Sequence, residues 1–260
     1  MKDDSEALPV AHTLWLSPSI GPIEAACLRS LVAVGHRVVV HCYHPPESLP
    51  KGVEVDDAAA ILPREKVFRH RRSGRFAPFA DKFRYLLLAG GADMWVDCDL
   101  YAIKPITRRD YLFGIEGTHV INQAVLSLPK HSELLSDLVR IVTDQWAPMP
   151  WLSRRRQWRA RVRSWLSGED RIAHLQWGAT GPSALTYLAH KRGVANKAQP
   201  SDVFYPVHHG DLRRLLDPTA RLEDLITSNT EAIHLYGTVL GPLILDGIPP
   251  GSPLSELLTR

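Results

Sequence analysis

Asp97 and Asp99 stand one residue apart at the end of the apolar run Met94-Trp95-Val96. Two carboxylates at this spacing, just past a buried strand, form an anionic fork at the edge of a sheet. Such a fork can hold a divalent cation, and the cation can hold a diphosphate. A D-x-D alone reads more readily as a solvated acidic turn. The residues upstream shift the balance. Ala80-Asp81-Lys82-Phe83-Arg84-Tyr85-Leu86-Leu87-Leu88-Ala89 reads as a helix, Gly90-Gly91 as its stop, and Asp93–Asp97 as the strand that delivers the fork. Asp81 and Arg84 lie one helical turn apart and can point the same way. The plainer reading of that pair is a surface i,i+3 ion pair of little energetic value.

Those residues need a scaffold, and the chain predicts one. His12–Leu16 is a short apolar strand, Ser17–Pro22 a turn-rich loop, Ile23–Val34 a helix stopped by Gly35, and Arg37–Tyr43 a β-branched buried strand. Strand, helix, strand in that order implies a parallel sheet with a right-handed crossover, whose ligands gather at the carboxyl ends of the strands. A Pro-rich connection (residues 44–51) follows, then a strand at Val53–Val55 and a short segment at Ala58–Leu62 leading to Pro63. Pro78 suits the first turn of the Asp81 helix. Tyr111–Ile115 and Val120–Leu128 read as strands, Ser132–Trp146 and Ser183–His190 as helices, and Ala232–Tyr236 as a late strand.

With 260 residues, 45% of them hydrophobic, the chain can bury one sizeable core, and a single α/β domain over 1–260 is expected. A net charge of +3 and the lack of a nucleic-acid-binding motif argue against nucleic acid as a partner. Three scattered cysteines, Cys27, Cys42 and Cys98, fit a reducing compartment. The acidic start, Met1–Glu6, lacks the order of a signal peptide, and no apolar stretch reaches membrane-spanning length. A cytoplasmic location is expected, with peripheral membrane contact open.

The segment Trp151–Arg171 departs from the rest. Trp151, Trp158 and Trp165 fall at intervals of seven, with arginines 154, 155, 156, 159, 161 and 163 between them. Read as a helical excursion over about 150–171, this is either a basic amphipathic face for an anionic membrane or a helix whose tryptophans complete the core.

The order and spacing of Asp81, Arg84, Gly90-Gly91, Trp95, Asp97 and Asp99 resemble the sugar-nucleotide site of GT-A glycosyltransferases of the D-x-D sugar-transferase group (glycosyltransferase family 32-like). That group includes the α-1,4-galactosyltransferases, the initiating mannosyltransferases and the catalytic domains of clostridial glucosylating toxins. Leu14-Trp15-Leu16, Ile121-Asn122-Gln123-Ala124, Thr180-Gly181-Pro182, Phe204-Tyr205-Pro206 and His234-Leu235-Tyr236-Gly237 resemble further markers of the group. Ala80, Asp93 and Tyr236 depart from its pattern, which more often has Ser, an aromatic or small residue, and Trp at these points.

The resemblance implies a GT-A-type, Rossmann-like mixed sheet flanked by helices. It implies a metal-dependent transferase that moves a sugar from a nucleotide-sugar donor, UDP-sugars favoured, to a glycan or lipid-linked acceptor with retention of configuration. Bacterial cell-surface polysaccharide biosynthesis is the expected setting. Mn²⁺ or Mg²⁺ would be held by Asp99, by Asp97 and by His234, the last otherwise an ordinary half-buried histidine. Asp81 and Arg84 would grip hydroxyls of the sugar, and Trp15 would stack on the base unless it is a core tryptophan. Asn122 and Gln123 are candidates to face the anomeric carbon. Gly181 would allow a close backbone approach or make a turn. The adjacent His208 and His209 are expected to diverge as loop residues near the site. Two other classes stay open: a haloacid-dehalogenase-type phosphatase, which also uses D-x-D but has Thr or Val where Tyr101 stands, and a non-catalytic nucleotide or membrane-surface module.

Overall fold

A computed structural model describes residues 7–260; the acidic Met1–Glu6 start lies outside them. Among the described residues, eight strands form two sheets. They are β1 (Ala11–Leu14), β2 (Val38–Cys42), β3 (Val53–Asp57), β4 (Met94–Val96), β5 (Leu100–Ala102), β6 (Leu112–Glu116), β7 (Val120–Ser127) and β8 (Ala232–His234). The six-stranded sheet has the order β3-β2-β1-β4-β7-β6. β3, β2, β1 and β4 run parallel, whereas β7 is antiparallel to both β4 and β6. β5 and β8 pair antiparallel as a separate ribbon.

Helices cover both faces of the large sheet. They are α1 (Pro22–Ala33), α2 (Ala77–Gly90), α3 (Glu133–Thr143), α4 (Arg154–Ser167), α5 (Pro182–Lys191), α6 (Ser201–Phe204), α7 (Gly237–Leu243) and α8 (Pro253–Thr259). The architecture is mixed α/β, a mostly parallel sheet flanked by helices, as the opening strand–helix–strand pattern implies. Strand alternation divides β4 between two cores. Met94 and Val96 join Leu28 and Leu31 of α1, while Trp95 joins Phe79 and Phe83 of α2 and Leu138 of α3.

Local chemistry explains most boundaries. α2 starts with Pro78 in its first turn, and Gly91 ends it in the left-handed region at φ 107°. Ser132 caps α3, its hydroxyl accepting from the Leu135 N–H, so that helix spans less than the Ser132–Trp146 pattern suggests. Ala58–Ala60, within the short segment that leads to Pro63, is a 3-10 turn capped by the Asp57 carboxylate. Several expectations need correction. β8 stops at His234, because Tyr236 adopts φ 49° and turns the chain into α7. β5 has no apolar run long enough to announce itself. Trp151 lies ahead of α4, so the seven-residue tryptophan period is not a single helix stripe.

One buried group makes the fold sensitive to acid. His41 of β2 is 4% exposed, its Nε2 lies 3.1 Å from Nδ1 of His12, and its own Nδ1 has no hydrogen-bond partner among the described residues. Burial and then the neighbouring His12 push its pKa from 6.5 down to about 4. Between those values the unfolded chain binds a proton that the folded chain refuses, so stability falls as pH drops through that window. In urea titrations, wild type is expected to lose more stability than His41→Leu on going from pH 6.5 towards 4. Parallel curves would rule this account out.

Candidate active site

β4 ends at the carboxyl edge of the parallel strands, and the Asp97 N–H donates to the Ala124 carbonyl of β7 at 2.7 Å. Asp97 continues the alternation that sends Trp95 toward α2. Its Oδ1 accepts from the Trp95 indole N–H at 2.7 Å and meets the Arg84 guanidinium at 3.0 Å. Arg84 also donates to the Gln123 carbonyl at 2.8 Å, and its guanidinium carbon lies 4.6 Å from the Trp95 ring centroid.

Asp81 and Arg84 are no surface pair: they are 6% and 4% exposed. Asp81 accepts from the Gln123 side-chain amide at 2.5 Å and from the Thr180 hydroxyl at 2.7 Å, with Arg84 3.8 Å away. Burial raises its pKa despite Arg84 and these hydrogen bonds. Burial works against the Arg84 cation, but Asp97 and Asp81 outweigh it and hold its pKa above the ordinary value. Gly181 earns its place through close approach. A Cβ there would lie 2.6 Å from the Gln123 amide nitrogen and 3.1 Å from both Asp81 oxygens. Its backbone therefore approaches protein side chains.

Asp99 turns the chain into β5. Leu100 pairs with His234 in the ribbon, and the Leu235 N–H donates to the Asp99 carbonyl at 2.8 Å. This register sets His234 Nε2 3.2 Å from Asp99 Oδ1, while the Gly237 N–H donates to Oδ2 at 2.6 Å. For Asp99, burial opposes the charge, yet His234 and the Gly237 N–H win and lower its pKa. For His234, burial disfavours the cation, but Asp99 raises its pKa, with Asp97 and Glu116 adding to the effect. One ligand atom from each of Asp97, Asp99 and His234 lies within 4.8 Å of the other two. Two carboxylate oxygens and an imidazole nitrogen are a donor set able to hold a divalent cation.

These residues line a cavity of about 430 Å³ together with Asp81, Arg84, Asn122, Gln123, Trp177 and Tyr236. Asn122 and Gln123 reach it with their amides already engaged. Gln123 holds Asp81 and accepts from the Tyr85 hydroxyl, and Asn122 donates to Glu116 at 2.5 Å. Both amides thereby orient carboxylates of the cavity wall. Trp15 is not among the lining residues. It lies half-buried one strand away at the same sheet edge, its indole N–H donating to the Ser19 carbonyl at 3.1 Å.

Glu116 is a cavity group that sequence reasoning passed over. The β6–β7 register, with Gly114 opposite Asn122 and Glu116 opposite Val120, puts Glu116 diagonal to Asn122 on one face. That register was the available signal. His208 and His209 do not diverge: their rings lie 3.8 Å apart between centroids, tilted by 41°, and His209 Nδ1 lies 2.9 Å from Glu116. Burial raises the Glu116 pKa, but the Asn122 and His209 hydrogen bonds prevail and lower it.

No protein-family model matches the chain, and no curated protein matches it in sequence. Among solved structures, a chain described as PaToxG Glycosyltransferase aligns with a TM-score of 0.44 at 13% identity, covering 73% of this chain and 72% of that one.

Proposed function

We propose that this protein is a metal-dependent glycosyltransferase of the GT-A type, organised as one domain, that takes its sugar from a nucleoside-diphosphate donor. The observation that carries the reading is the convergence of Asp97, Asp99 and His234 at the carboxyl end of β4, beside the buried Asp81–Arg84 pair in one cavity. A structural acidic turn would not require a buried guanidinium and a third ligand from a distant strand.

In this reading Asp97, Asp99 and His234 hold Mn²⁺ or Mg²⁺. The bound cation would offset the charge that builds on a departing nucleoside diphosphate. Asp97 comes to that task with Oδ1 already fixed by Arg84 and Trp95. Asp81, fixed by Gln123 and Thr180, and Arg84 orient hydroxyls of the transferred sugar. Trp15 offers a ring to the base at the same sheet edge. Glu116 and His209 offer an acceptor and a donor to an incoming polyol, a glycan or a lipid-linked sugar. Transfer proceeds with retention, the departing phosphate oxygen taking the acceptor proton. UDP-sugars are the favoured donors, cell-surface polysaccharide synthesis the favoured setting, and the cytoplasm the favoured location.

The test is thermal unfolding with UDP-, GDP- and CMP-sugars, each with and without Mn²⁺. A donor at about a hundred times its dissociation constant adds roughly 2.7 kcal/mol. In a chain of this size that raises the midpoint by about 5–10 °C. A shift with one nucleotide class that requires the metal is expected. No shift with any of them would remove the reading.

A further inference from the structure

α4 presents its apolar stripe to solvent. Trp158, Val162, Trp165 and Leu166 recur at i, i+4, i+7 and i+8, the spacing of a helix face that a core ordinarily covers. Here Trp158 is 62% exposed, Trp165 83% and Leu166 70%. The inner side is carried by Gln157 and Ala160. Gln157 binds the helix to the preceding turn, accepting from the Met149 N–H and donating to the Met149 and Leu152 carbonyls. The tryptophans at 158 and 165 therefore do not complete the core. Trp146, 66% exposed, widens the patch, with the Arg161 guanidinium 5.2 Å from its ring centroid.

Charge follows the same geometry. α4 contains six arginines and no acidic residue. Arg155, Arg159 and Arg163 form a row at i, i+4 and i+8 along the apolar stripe, and Arg154 stands at the helix start. Arg156 is bound to Gln176 and Arg161 to the Gln145 and Trp146 carbonyls. Arg154, Arg155, Arg159 and Arg163 make no ion pair with a carboxylate among the described residues.

We propose that this face docks on an anionic lipid bilayer, with Trp158, Trp165 and Leu166 entering the headgroup boundary and the arginine row meeting lipid phosphates. Trp prefers the membrane–water interface, and each basic side chain near an anionic surface contributes about 1 kcal/mol. No helix among the described residues is long and apolar enough to cross a membrane, so the contact is peripheral. A second copy of the chain is a poor occupant, because its own arginine row would face this one with no acid on α4 to meet it. The proposal is independent of what the cavity binds.

The experiment is co-sedimentation of the full chain with phosphatidylcholine vesicles and with vesicles in which about a third of the lipid is phosphatidylglycerol. Wild type is expected to sediment with the anionic vesicles alone, and less so at high salt. Trp158→Ala/Trp165→Ala and Arg155→Glu/Arg159→Glu/Arg163→Glu are each expected to lose binding at least tenfold, by roughly 1.4 kcal/mol or more. Both variants change exposed side chains, and unchanged thermal midpoints would establish that they fold. Equal binding to neutral vesicles, no binding to either, or variants that bind like wild type would overturn the proposal. So would a dimer in sedimentation velocity that the tryptophan variant abolishes.

Discussion

Asp99→Asn is expected to abolish metal-dependent donor binding and to cut turnover by at least about a hundredfold, with the fold retained. The argument rests on what the two oxygens do. Oδ2 accepts from the Gly237 N–H at 2.6 Å, and an amide oxygen in the same place can still accept that hydrogen bond. Oδ1 faces His234 at 3.2 Å, and Asp99 belongs to the converging Asp97–Asp99–His234 set. The amide keeps the shape and removes the charge, so the loss falls on cation binding. Asp99→Ala removes both and is expected to lower the unfolding midpoint as well, because the Gly237 N–H is left without an acceptor. The check is isothermal titration with Mn²⁺ and a donor screen on wild type and both variants. An Asn variant with wild-type Mn²⁺ affinity and full turnover would show that Asp99 shapes the turn only.

Arg84→Ala is expected to be the most destabilising single change near the cavity, by about 3–5 kcal/mol. The guanidinium meets Asp97 at 3.0 Å, lies 3.8 Å from Asp81, donates to the Gln123 carbonyl and covers the Trp95 ring. Its removal strands the buried Asp81 carboxylate, leaves the half-buried Asp97 without its cation, and empties a buried site. For a chain of this length the midpoint should fall by about 6–20 °C. Arg84→Lys restores charge without the planar fork and is expected to recover part of the stability and little donor binding. Melting curves of the two variants test this directly. A midpoint for Arg84→Ala within about 1–2 °C of wild type would mean that the buried pair contributes no net stability.

The β4 segment and its helix were legible because their signals are local. A proline opens α2, a glycine with positive φ closes it, and i,i+3 spacing aligns Asp81 with Arg84. Alternation along Met94-Trp95-Val96 puts Asp97 on the Trp95 face, so the fork follows from period two alone. Burial of the Asp81–Arg84 pair did not follow, since it depends on Gln123 and Thr180, 42 and 99 residues away from Asp81. The tryptophans of α4 illustrate the opposite failure. Their spacing is that of a buried stripe, and only packing reveals that the core ends at Gln157 and Ala160.

By itself, then, the sequence determined the α/β class, the helix that carries Asp81 and Arg84, and the position of Asp97 and Asp99 at a strand end. Each is a consequence of spacing within about twenty residues. The tertiary structure alone decided that His234 meets Asp99. It did so through the ribbon of β5 and β8, whose Leu100–His234 register places the imidazole beside the fork. It also decided that Glu116, Asn122 and His209 share the wall of the same cavity. The His234–Asp99 partnership has no local signature, because strand pairing between segments 135 residues apart is selected by burial of the whole fold.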